Sequence, residues 1–209
     1  MSLIATHQDG EGFAPVPAGN HVAICIALYD IGTQYDQMYD RWKPQVIVTW
    51  EIPGETVERD GETKPMTISK FYSVYLTEKA NLYKDLTGWR GRAFIEEELA
   101  RFDLNAILGK PCMLNVIHKG DKARVASVAS IPKGIVVPPP VHPLVSFDLD
   151  LDPTGTEFEA LPDWVQKHVL QSREKGEVKE NAPQASTTMP PHQAMVAAGG
   201  VDEEDDIPF

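Results

Sequence analysis

His21-Val22-Ala23-Ile24-Cys25-Ile26-Ala27-Leu28 alternates large and small side chains, with Val22, Ile24, Ile26 and Leu28 on one face and His21, Ala23, Cys25 and Ala27 on the other. A period of two marks a β-strand, because successive side chains of an extended chain point to opposite faces. The same period returns at Val46, Val48, Trp50 and Ile52. Asp60-Gly61 is a hairpin signal and separates Glu55–Arg59 from a strand at about Met66–Tyr75. Cys112, Leu114 and Val116 alternate in a fourth strand, and Gly120-Asp121 turns the chain into a fifth over Lys122–Ile131. Between the third and fourth strands, Thr77 as N-cap predicts a helix through Leu82 to about Thr87, ended by Gly88. Short helical stretches follow around Phe94–Leu99 and Leu104–Leu108.

Five strands and one inserted helix are what a small Greek-key barrel needs. The expected fold class is mainly β: a five-stranded OB-type Greek-key barrel over 21–135. Residues 1–20, polar and rich in Gly and Pro, are expected to form a flexible arm, and residues 30–44 a polar loop bearing aromatics. Pro132 and the Val-Val-Pro-Pro-Pro run at 136–140 end the barrel. An extension over 136–174 carries a helix at 158–173, with Pro162 in its first turn. Phe158, Leu161, Val165 and Val169 lie near helical spacing, so this helix is expected to pack on the barrel and to bury Trp164. Residues 175–209 lack periodicity and large apolar side chains, and are expected to be a disordered acidic tail.

Charge is distributed unevenly. The net value is −12, yet residues 41–133 hold fifteen bases and twelve acids, whereas residues 174–209 hold two bases and eight acids. A positive middle and an acidic tail on one chain suit an anionic ligand better than the net value does. No apolar run reaches bilayer length, and residues 1–7 lack the pattern of a secretory leader, so a cytoplasmic protein with no membrane partner is expected. Cys25 and Cys112 sit in apolar runs and read as reduced core residues. There is no Cys-x-x-Cys and the six histidines are scattered, so neither metal nor cofactor is expected.

Binding single strands without sequence preference takes cations along the phosphates and aromatic faces against the bases. The middle of the chain interleaves the two: Arg41-Trp42-Lys43, then Lys70-Phe71-Tyr72 with Tyr75, then Trp89-Arg90-Gly91-Arg92, and finally Lys119, Lys122 and Arg124 about the last hairpin. Each aromatic also has an ordinary core reading, and Trp50, on the Val46/Val48 face, is assigned to the core. Catalysis has thin support. Neither a phosphate-cradling Gly-rich loop nor an obvious general base is present. Glu96-Glu97-Glu98 reads as a solvated helix face. Asp148, Asp150 and Asp152, spaced by two along an extended segment, are the one set that a metal-dependent nuclease would use.

The last residues carry a different chemistry. Asp202-Glu203-Glu204-Asp205-Asp206 precedes Ile207-Pro208-Phe209. A phenylalanine with a free carboxylate can fill an apolar pocket beside a base, and the acids can reach a surrounding Lys/Arg patch. Asp-Asp-Ile-Pro-Phe resembles the tip of bacterial single-stranded-DNA-binding proteins. The layout of barrel and acidic tail, with Leu82-Tyr83-Lys84-Asp85-Leu86-Thr87-Gly88-Trp89-Arg90-Gly91-Arg92 and Leu108-Gly109-Lys110, is similar to phage-encoded members. The resemblance implies protection of single-stranded DNA in replication, recombination and repair within a bacterial host cytoplasm. It also implies recruitment of a polymerase, helicase or nuclease through the tip, and leaves a homodimer open. The alternative from another class is a replisome adaptor whose barrel binds protein.

Overall fold

A computed structural model describes residues 14–59, 61–152 and 155–175. The chain divides into a unit over 1–178, which contains all of them, and a second over 179–209. The expected tail beyond Lys175, its tip at 202–209 and the first thirteen residues of the expected arm lie outside the described residues.

Six strands form one sheet. β1 (Gly19–Asp36), β2 (Arg41–Arg59), β3 (Glu62–Ser73), β4 (Pro111–Lys119) and β5 (Lys122–Ala129) lie in the antiparallel order β3-β2-β1-β4-β5. A short sixth strand, β6 (Val145–Phe147), runs parallel to β1 beside Ala27–Tyr29. The fold is mainly β, as expected, with one strand more than the sequence announces. Three residues are too few to show a period.

The sequence also understates the first hairpin. Residues 30–44 are not a loop: β1 and β2 stay paired out to Asp36↔Arg41. Asp36 Oδ1 accepts the Met38 and Tyr39 N–H groups across the turn, and Asp40 takes the left-handed conformation at φ 48°, which Asp tolerates better than most residues. A bulge between Cys25 and Ala27 shifts the phase of β1. Leu28 therefore joins Ala23 and Cys25 in one core, while Ala27, Tyr29 and Ile31 enter another. The expected face of Val22, Ile24, Ile26 and Leu28 is broken at that extra residue.

The larger core holds Val46, Val48, Trp50, Ile52, Ile68, Tyr72, Leu114, Val116, Val125 and Val128. Cys25 stands opposite Trp50 in the ladder, a small side chain making room for a large one. Both cysteines are buried and unbridged, and burial pushes the Cys25 thiol up to about 12. Val16 is buried in this core as well, and its carbonyl meets His118 Nε2 at 2.8 Å. Val16 is thus fixed to the sheet rather than part of a loose arm.

The inserted helix α1 (Asn81–Arg90) starts later than Thr77, with Ala80 as N-cap, and passes through Gly88 to end at left-handed Gly91. Gly88 is needed for approach, not termination. A Cβ there would lie 2.5 Å from the Val128 carbonyl oxygen, and the Ser130 N–H bonds the Gly88 carbonyl at 3.0 Å. Leu82, Leu86 and Trp89 enter the core from this helix. α2 (Glu96–Ala100) and a 3-10 turn (Leu104–Ile107) complete the insert.

The second core lies on the opposite face of β1 and β2, and the extension builds it. The expected helix at 158–173 is two helices, α3 (Thr156–Glu159) and α4 (Asp163–Leu170), because Pro162 serves as the N-cap of the second. Val165 and Val169 are fully buried against Ala27, Tyr29, Ile31 and Ile47. Trp164 is not: it keeps 41% of its surface exposed. Upstream, Glu51 is buried on β2 and its carboxylate accepts the Val141 and His142 N–H groups and the His142 ring at 2.7–3.1 Å. Removal from water raises a carboxyl's pKa, but the bonds from His142 and Val141 outweigh it and hold Glu51 below its ordinary value. Among the described residues, no helix is long and apolar enough to cross a membrane.

Candidate nucleic-acid interface

The turn of the β1–β2 hairpin gathers aromatics and cations. Tyr35 and Trp42 are directly opposite in the ladder, with ring centroids 5.3 Å apart. Both remain exposed, as do Tyr39, Met38 and Arg41. Tyr35 donates its hydroxyl to Asp40. The Arg41 guanidinium lies 5.3 Å and the Lys43 ammonium 4.3 Å from the centre of the Tyr39 ring. Alternation places Arg41 and Lys43 on one face of β2 and Trp42 on the other. Of the expected trio, Lys43 is the correction. It is only 8% exposed, and its ammonium donates to Asp36 at 2.6 Å, so its charge is spent on holding the turn. Sequence reading missed Tyr35 and Tyr39, whose signal was their position around the turn.

Burial removes other candidates from the surface. Tyr72 is 3% exposed; its hydroxyl and the Lys70 ammonium both donate to Asp85 Oδ2 at 2.7 Å. This trio fastens α1 to β3, and burial together with Asp85 drives the Tyr72 pKa upward. Trp89 is also core, with its indole N–H donating to the Pro111 carbonyl at 2.8 Å and its ring 6.1 Å from Trp50. Arg90 pairs with Glu98 and lies 4.2 Å from the centre of the Phe94 ring. Arg92, more exposed, pairs with the same carboxylate at 2.6 Å. The Arg92 bond above all holds Glu98 down to about 2. The Trp89–Arg92 cluster thus stabilises the insert. Phe71 and Tyr75 remain exposed at 44% and 43%.

Lys119, Lys122 and Arg124 are all exposed on the β4–β5 hairpin. Lys119 faces Lys122 directly across the ladder. Like charges so placed are destabilising, and an anion relieves them. Beside this hairpin a groove of about 540 Å³ separates β3 from the β4–β5 turn, with Lys64 and Thr67 on one wall, Asp121 and Lys122 on the other, and His142 also at its border. Lys64 was not singled out from the sequence, where it is one lysine in a polar hairpin; the approach of β3 to β5 gives it a place.

The three aspartates do not share a side. Leu149–Leu151 form a 3-10 turn that Asp148 caps by accepting the Asp150 N–H at 3.0 Å, while buried Asp152 accepts the Phe158 N–H at 2.9 Å. The spacing of two fails because the segment is coiled rather than extended. Comparison of the chain with protein-family models, curated proteins and solved structures finds no match.

Proposed function

We propose that this protein binds single-stranded DNA without strong sequence preference, and that residues 202–209 dock enzymes of replication and repair. One observation carries the DNA reading: the exposed Tyr35–Trp42 pair, Tyr39 and Arg41 cluster on a single projecting hairpin, the pairing of aromatic faces with cations that unstructured strands need. The connectivity supports it. The order β3-β2-β1-β4-β5, with α1 inserted between β3 and β4 and β3 drawn towards β5, is what an OB-type Greek-key barrel requires. The groove beside β3 offers phosphates Lys122 on one wall, while Lys64 on the other is already paired with Glu62 at 2.7 Å.

Fluorescence anisotropy of a labelled oligo-dT, at low and moderate salt with duplex as control, tests the reading. The expected result is salt-sensitive binding of the single strand well above the duplex, weakened about fivefold or more by Trp42→Ala. No binding at low salt, even after deletion of 202–209, would overturn it.

The replisome-adaptor reading is favoured by a separate observation. Residues 141–142 bond to Glu51, and α4 packs on Ile47, so protein covers part of the β2 face that OB barrels offer to oligonucleotides. Failure of the oligo-dT experiment would put that reading first.

A further inference from the structure

We infer that the C-terminal helix adds a second base-stacking platform, formed by Trp164 and His168 of α4 with Phe71 of β3, whose occupant is the bases of a single strand. The inference rests on the DNA reading above and extends it from Phe71, already a candidate in the sequence, to Trp164, expected to be buried, and His168, left aside there. Trp164 and His168 are one helical turn apart, with ring centroids at 6.4 Å, and Phe71 meets His168 at 5.0 Å from the neighbouring strand. Both contacts are edge-to-face, at 83° and 69°, so in each pair one ring presents its edge to a face of the other. Trp164 and Phe71 keep 41% and 44% of their surfaces in solvent.

The core does not need them there. Val165 and Val169 supply the fully buried contacts of α4, whereas Trp164 stays partly exposed and meets Tyr29 of the sheet in a T-shaped contact at 6.3 Å. His168 is half-buried, and burial lowers its pKa, which favours the neutral ring. Lys167 is exposed between the two rings in sequence and supplies the charge complementarity for a phosphate.

A hydrogen bond ties the platform to the base of the hairpin. Gln34 pairs with Lys43 in the ladder and donates its amide to the His168 carbonyl at 3.0 Å. Ile47, two pairs further along the same face of β2 than Gln45, stands opposite Phe71 and is covered by α4. Arg41, Phe71 and α4 thus lie on one side of the sheet, and Tyr35 and Trp42 on the other.

The experiment compares full-length wild type, Trp164→Ala, Trp164→Phe and Phe71→Ala in the same anisotropy assay, with oligo-dT and an abasic oligomer of equal length. Thermal melting checks folding, and Trp164→Ala is the safer variant because its side chain is outside the core. With wild-type binding established, Trp164→Ala is expected to weaken oligo-dT binding about fivefold to a hundredfold. Trp164→Phe should recover most of that loss, and the abasic oligomer should show little difference. Unchanged oligo-dT affinity in folded Trp164→Ala would overturn the platform, as would equal losses on both oligomers or a change confined to oligomeric state. Absence of binding by wild type would instead refute the DNA reading on which the platform rests.

Discussion

Glu51 has no exposed surface, yet it is ionised and accepts two backbone N–H groups and an imidazole from residues ninety positions away. Nothing in Glu51-Ile52 distinguishes this carboxylate from a surface one in the sequence; its partners come from chain beyond β5. Truncating it to Ala should orphan Val141 and His142 N–H and cost about 3 kcal/mol, since bonds to charged groups contribute about 1.5–3 each. A carboxyl whose folded pKa is depressed contributes stability that is full above its unfolded value, near about 4.3, and is lost as pH falls through the folded value. Urea midpoints of wild type should therefore drop from about pH 5 downward, and more steeply than those of Glu51→Gln. Parallel pH profiles for the two proteins would show that Glu51 does not carry this dependence.

Elements were legible where one face of a strand or helix stays in register with its period. β2, β4 and β5 kept the expected inward positions: Val46, Val48, Trp50, Ile52, Leu114, Val116 and Val125 are all buried. The departures have local causes, namely the bulge in β1, Pro162 between α3 and α4, and Gly88 inside α1. Gly88 tests the docking of α1 on β5. Ala in a helix interior is favoured over Gly by about 1 kcal/mol, whereas overpacking costs about 1–3 kcal/mol. With the obstacle a backbone carbonyl at 2.5 Å rather than a flexible side chain, the clash should win. Gly88→Ala is expected to lower stability by a net of up to about 2 kcal/mol, read as a lower urea midpoint, and a raised midpoint would mean that the helix and β5 are not so close.

At the scale of the whole molecule, opposite charges share one chain. Residues 41–133 are net positive, and residues 202–206 are five consecutive acids. Screening reaches about 30 Å at 0.01 M salt and about 10 Å at 0.1 M, so competition between acids and phosphates for the same cations should be strongest at low salt. Deleting 202–209 is expected to tighten oligo-dT binding there and to matter less as salt rises. Equal affinities of the two proteins at 0.01 M salt would exclude such competition. The positive surface is also smaller than the count of bases suggests, because Lys43, Lys70, Arg90 and Arg92 are paired with Asp36, Asp85 and Glu98.

The sequence by itself determined the strand-rich class, the two later hairpins, the inserted helix and the apolar stripe of α4, because period and turn chemistry are local properties of consecutive residues. It also carried the charge asymmetry and the acidic tip. Only the tertiary structure decided which aromatics are core and which face solvent: Tyr72 and Trp89 went in, while Phe71, Trp42 and Trp164 stayed out. An aromatic beside a cation reads the same in either setting, and burial depends on what packs against it from far along the chain. The pairing of Lys70 with Asp85, the clasp of Glu51 on residues 141–142 and the meeting of Phe71 with His168 all join segments that share no local signal.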